Sequence, residues 1–201
     1  MKQMVQVEIQ EDELLKFEKI SGISYKIKGN YSKLFLADLM AFHRLFGVGS
    51  DEVFMVLNDY EKGRNRAGIK APTPFKHPLL KGLHHIHFTS SRYIGQNIKI
   101  GLGKNGLTNI INSALKDDTK SPHQQAEEIA EQVVSGTLDK RKARNKMTGE
   151  WVVYAKHNDE LYYLCLARHD DGDQFIRNRI ERHCVEEFPF LSSLLSNENV
   201  S

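Results

Sequence analysis

Trp151-Val152-Val153-Tyr154-Ala155-Lys156, a polar link His157-Asn158-Asp159-Glu160, and Leu161-Tyr162-Tyr163-Leu164-Cys165-Leu166-Ala167 decide the fold. Two runs rich in β-branched and aromatic residues around a short polar turn predict an antiparallel hairpin. The second run is apolar on both faces, so it belongs inside a sheet and not at an edge. Downstream, Asp170-Asp171-Gly172-Asp173 predicts a turn, with Asp173 as N-cap of a helix from Gln174 to about Glu187. Ile176, Ile180 and Cys184 recur every four residues and mark its buried stripe. Pro189 stops that helix, and 196–201 is expected to be a disordered tail.

Upstream, the pattern is mixed. Val5 to Ile9 alternates and predicts a strand; Asp12 to Ile20 predicts a short helix stopped near Gly22; Ile23 to Ile27 alternates again. Ser32 suits an N-cap before Lys33 to Phe46, a helix apolar around much of its circumference and therefore central to the core. Gly47 and Gly49 end it, and a second helix runs from Ser50 to Tyr60. Between Lys62 and Pro78, Gly63, Gly68, Pro72, Pro74 and Pro78 predict a basic loop without regular structure. Gly82 to Phe88 reads as a strand with Leu83, His85 and His87 on one face and His84, Ile86 and Phe88 on the other.

Beyond it, Arg92 to Ile100 fits a helix or a short strand equally well. Thr108 to Leu115 predicts a helix with Ile110, Ile111 and Leu115 inward. Ser121-Pro122 opens another, which runs through Ile129, Val133 and Val134 with Glu127, Glu128 and Glu131 outside. The class that results is α+β: a mixed helical N-terminal half with a C-terminal antiparallel β-hairpin and packed helix. One domain is expected over 1–195, with the 62–78 loop as the boundary if it divides.

At 201 residues with 40% hydrophobic and 27% charged side chains, the chain has the makeup of a soluble globular protein. No run reaches the ~18–20 apolar residues of a membrane span, and the first residues lack the apolar core of a secretory signal. Cys165 and Cys184 are too few for a disulfide framework or a zinc set, which points to reduced core cysteines and a cytoplasmic location.

Charge carries the functional signal. From Lys62 to Lys116 there is no Asp or Glu and the formal charge is +10, which leaves the other 146 residues at −8. Such asymmetry suggests an anionic partner, RNA or another polyanion. A second cluster follows at Lys140, Arg141, Lys142, Arg144 and Lys146. The candidates for phosphate contact are Arg64, Arg66, Lys70, Lys76, Lys104, Lys140, Arg141, Lys142 and Arg144, which would give affinity and salt dependence without sequence specificity. Tyr93, Trp151, Tyr154, Tyr162 and Tyr163 are candidates to stack bases, or belong to the core.

Within the acid-free stretch lie His77, His84, His85 and His87. An H-x-H strand sets His85 and His87 side by side, as in two-histidine metal sites. A segment without carboxylates suits a cation poorly, so no metal or other cofactor is assigned. Acid–base chemistry fits the charge better: His84, His85 or His87 toward a ribose 2′-hydroxyl and the leaving 5′-oxygen, with Lys81 or Arg92 on the phosphate. Gly101-x-Gly103-x-x-Gly106 matches the dinucleotide fingerprint, but the βαβ context and the acidic residue about 20 positions on are missing. A turn before a helix is the better reading. His157, His169 and His183 are scattered.

A basic, histidine-bearing segment followed by a late antiparallel sheet resembles small bacterial ribonuclease toxins of the RelE and EndoU kinds. No family motif aligns residue by residue, so the resemblance transfers no site. Three functions stay open: a metal-independent endoribonuclease, a non-catalytic nucleic-acid-binding or regulatory protein, and an interaction protein that docks an acidic partner.

Overall fold

The computed structural model describes residues 8–64, 71–89, 93–144, 149–168 and 171–196. The chain divides into two compact units. One comprises 1–65, 71–88 and 149–201; the other comprises 66–70 and 89–148.

The first unit is organised on the expected hairpin. Strands β4 (Glu150–His157) and β5 (Glu160–Arg168) are joined through Asn158 and Asp159, both with positive φ (49° and 62°). That is the mirror-image two-residue turn whose twist matches the strands it joins. Three short strands complete the sheet: β1 (Asn30–Tyr31), β2 (Thr73–Pro74) and β3 (His84–Phe88). The order is β1-β5-β4-β3-β2, with β1 parallel to β5 and every other pair antiparallel. β5 is interior, as its two apolar faces demand. The register shifts between Val153, opposite Cys165, and Tyr154, opposite Tyr163. Leu164 is the extra residue of a β-bulge, and its carbonyl accepts the Ser32 hydroxyl at 2.6 Å.

Helices cover both faces of this sheet. α3 (Lys33–Phe46) and α4 (Ser50–Glu61) lie on the face of Ile86, Phe88, Val152, Tyr154 and Tyr163, with ring contacts Phe35–Tyr163, Phe42–Phe88 and Tyr60–Tyr154. Ser32 caps α3 as expected, its Oγ accepting from Phe35 N at 2.9 Å. On the other face α9 (Asp173–His183) and α10 (Phe190–Ser196) pack Ile176, Ile180, Leu191 and Leu195, with Cys184, against Leu83, Val153, Ala155, Cys165 and Ala167. Both cysteines are buried and unbonded to each other.

β1 is too short to cover the length of β5, so side chains take over. Asp38 Oδ2 accepts Leu166 N–H at 2.8 Å, Arg179 Nη1 donates to Leu166 O at 3.2 Å, and Arg179 pairs with Asp38. Carboxylate and guanidinium thus supply the acceptor and donor of a missing strand.

Local expectations were corrected in several places. Ile23 to Ile27, whose alternation predicts a strand, is the one-turn helix α2 (Ile23–Lys26) after α1 (Glu11–Ser21). The reason is burial at a spacing of four: Ile23 and Ile27 are inside, whereas Tyr25 is 93% exposed. Asp173 is the first residue of α9, not its cap; Gly172, with φ 84°, precedes it. The 62–78 loop holds β2 and leads into a 3₁₀ turn, Pro78–Leu80, with Phe75 buried. Of the strand expected at Val5–Ile9, residues 5–7 lie outside the described residues, and 8–10 lead into α1 unpaired in the sheet; of the tail expected at 196–201, Ser196 is the last residue of α10 and 197–201 lie outside the described residues.

The second unit is helical: α5 (Ile94–Leu102), α6 (Gly106–Ala114), α7 (Pro122–Glu131), a π-helical turn (Gln132–Gly136) and α8 (Thr137–Ala143). This settles Arg92–Ile100 in favour of helix from Ile94. Ser121 caps α7 and Pro122 is its first residue, as expected. α5 packs on α8 and α6 on α7. The glycines of the G-x-G-x-x-G match have structural causes. A Cβ on Gly101 would come within 2.4 Å of Thr137 Cγ2, and Gly103 ends α5 at φ 62°. Ile110 and Ile111 are half-buried, but Leu115, expected inward, is 54% exposed; Ala114 takes the buried position instead.

Candidate functional site: the histidine strand and its tyrosine–lysine corner

β3 is paired on both sides, so its side chains alternate strictly between two packed faces. His85 and His87 stand side by side as the H-x-H spacing requires, with ring centroids 5.0 Å apart. They enter an aromatic cluster in which His85 lies 4.6 Å from Phe75 and 4.9 Å from Trp151. The Thr73 hydroxyl lies 3.2 Å from His85 Nε2, and His87 is 7% exposed. His84 is on the opposite face, half-buried, 5.3 Å from the ring of its cross-strand neighbour Tyr154. The structure therefore unites His85 with His87 and separates both from His84.

Around His84 other polar groups gather. The hydroxyls of Tyr60, on α4, and Tyr154 are 2.7 Å apart. Next to them Tyr163 donates to Glu61 at 2.9 Å, and Glu61 also accepts the amides of Lys28 and Gly29 at 2.8 and 2.9 Å. Burial, followed by the hydrogen bond with Tyr60, raises the Tyr154 phenol far above its ordinary range; burial and Glu61 do the same to Tyr163. Both stay protonated. Lys156 follows Tyr154 by two residues, shares its face, and is exposed. Burial first, and then the Lys156 charge, lower the pKa of His84. His84 is thus neutral at pH 7, and its buried Nδ1 has no hydrogen-bond partner among the described residues.

The basic candidates are scattered. Lys76 and Lys81 are exposed beside the 3₁₀ turn, Arg64 pairs with Asp59 at 2.6 Å, and His77 lies 3.2 Å from Asp173. Arg66, Lys70 and Arg92 lie outside the described residues. In the helical unit Lys99, Lys104, Lys116, Lys140 and Arg144 are exposed, and none has an ion pair among the described residues. Lys142 lies 3.5 Å from Asp139, Lys120 pairs with Asp117 and Glu128, and Arg141 Nε donates to Asn97 at 3.1 Å.

A groove of about 800 Å³ lies between α1, α3 and α9, with Asp38 and Arg179 in its lining. Its buried carboxylate Asp38 is matched by Arg179, and at its exposed rim Lys33 is matched by Glu11. Among the described residues no three His, Cys, Asp or Glu side chains are grouped to hold a metal ion, and no helix is long and apolar enough to cross a membrane. Comparison with protein-family models, curated proteins and solved structures gave no match.

Sequence reasoning did not assign Tyr60, Lys156 or Glu61 to a site. Lys156 had a legible signal, since period two puts it on the face of Tyr154 and, across the sheet, of His84. Tyr60 had none, because its partner is 94 residues away.

Proposed function

We propose that this protein acts on nucleic acid in the cytoplasm, with RNA as the partner that fits best. The observation that carries the reading is that, among the described residues of the helical unit, Lys99, Lys104, Lys116, Lys140 and Arg144 are exposed and held in no ion pair. Cations held in no ion pair repel one another, a cost that a polyphosphate relieves with release of its counterions. Arg66, Lys70 and Lys76 belong with Lys99, Lys104 and Lys116 to the acid-free stretch 62–116. Fluorescence anisotropy with random single-stranded RNA and DNA across a salt series tests it. Affinity should fall by about 0.7 log unit per log unit of salt for each phosphate contact. The variant Lys104→Glu/Lys140→Glu should flatten that slope. Absence of binding to either polymer at low salt would overturn the reading and favour an acidic protein as the partner. Metal-independent endoribonuclease activity is the more specific form of the reading, favoured by a neutral, half-exposed histidine at the sheet surface.

A further inference from the structure

We propose that His84, Tyr60 and Lys156 form a ribonuclease active site that cleaves RNA by attack of the ribose 2′-hydroxyl. This rests on the nucleic-acid reading above and names its chemistry. RNA scission of this kind needs a base for the 2′-hydroxyl, an acid for the 5′-oxygen and a cation for the phosphate. The sequence offers His85 and His87 as the obvious pair, but packing works against them. His87 is 7% exposed and His85 is wedged against Phe75 and Trp151, so a polymer cannot present one phosphate to both. The opposite face supplies all three groups at one corner. His84 is half-buried and neutral, the Lys156 side chain is exposed beside it, and Tyr60 is half-buried with its hydroxyl fixed by Tyr154.

His84 takes the proton of the 2′-hydroxyl as O2′ bonds to phosphorus, the P–O5′ bond breaks, and Tyr60 gives its proton to O5′. The products are a 2′,3′-cyclic phosphate and a 5′-hydroxyl; solvent carries the proton from His84 back to Tyr60, and nothing is oxidised or reduced. Lys156 neutralises the non-bridging oxygens. Tyr154 is a positioning residue: its buried phenol stays protonated, and its hydroxyl, 2.7 Å from that of Tyr60, turns its proton toward Tyr60 as the phenolate forms. Among the described residues, Tyr154 and Lys156 from β4 and Tyr60 from α4 are the titratable or charged groups at the His84 corner, whereas β2 presents Pro74 opposite it. A nucleophile within the substrate restricts the reaction to RNA, since DNA lacks it.

The test uses the full chain with an end-labelled RNA, the same sequence as DNA, and detection of the cyclic phosphate. His84→Gln and Tyr60→Phe should each lower the cleavage rate about 10²–10⁴-fold, with RNA affinity and the circular dichroism spectrum unchanged. Lys156→Met should slow cleavage and move the acid limb of the pH profile upward, because it removes a charge that depresses His84. Tyr154→Phe should lower kcat and leave KM unchanged, which a merely structural loss would not do. The variant His85→Ala/His87→Ala, checked for folding in the same way, should still cleave. RNA binding without cleavage by the wild-type chain would overturn this inference and leave the binding reading intact; absence of both would sink the two together. Cleavage retained by His84→Gln, or lost only in folded His85→Ala/His87→Ala, would overturn it as well.

Discussion

Replacing Asp38 by alanine probes the pair that closes the open edge of β5. Asp38 accepts Leu166 N–H and Arg179, whose Nη1 also reaches the Leu166 carbonyl. Asp38 is 7% exposed, so alanine strands an amide and a guanidinium together. Breaking a buried pair from one side costs about 3–5 kcal/mol. The Arg179 side chain keeps 22% exposure toward the groove, so water reaches it and the low end, about 3 kcal/mol, is expected. Asp38→Ala/Arg179→Ala removes the stranded charge and should cost about 1 kcal/mol less than the sum of the single variants. Urea unfolding at pH 7.5 with unchanged m-values measures each. A loss below about 1 kcal/mol for Asp38→Ala, or strict additivity, would refute the argument.

The same carboxyl has a pH signature. Burial pushes Asp38 up from 3.8 to about 6, against the downward pull of Arg179 and the Leu166 amide. The folded state therefore holds the proton more tightly than the unfolded one. Its contribution to stability is fully present below pH ~4 and is lost as pH rises through 6, about 3 kcal/mol in all. Asp38→Asn lacks this titration. From pH 7 to pH 4 the wild type should therefore gain about 2 kcal/mol on Asp38→Asn, and a flat difference would contradict the burial argument.

Three further substitutions test the frame. Ser32→Ala removes the α3 cap and leaves the bulged Leu164 carbonyl without its hydroxyl donor, which should cost about 2 kcal/mol in urea unfolding. Gly29→Ala places a Cβ 2.7 Å from Tyr163 Cε2 and 3.1 Å from Leu161 Cβ; a loss of about 1–3 kcal/mol is expected, and a neutral outcome would mean that Tyr163 yields easily. Asp159→Gly relieves a non-glycine residue at φ 62° and should raise stability by about 0.5 kcal/mol, read as a higher melting temperature.

The sequence alone determined what depends on near neighbours. The hairpin, the Ser32 and Ser121 caps, the stripe of Ile176, Ile180 and Cys184, and the pairing of His85 with His87 on one face follow from periods of 2 and 3.6 and from side chains that bond within a turn of backbone. Where two local patterns compete, as at Ile23–Ile27, alternation misleads, because only packing reveals which apolar residues are inside. Tertiary structure alone decided the rest. The Asp38–Arg179 closure joins residues 141 apart, and the Tyr60–Tyr154 contact spans 94. The separation of His84 from its neighbours was written in the alternation, yet which face could serve a substrate was not. That choice depends on Phe75 and Trp151 filling one side and Tyr60 and Lys156 framing the other, and such long-range neighbours leave no periodic trace in a chain.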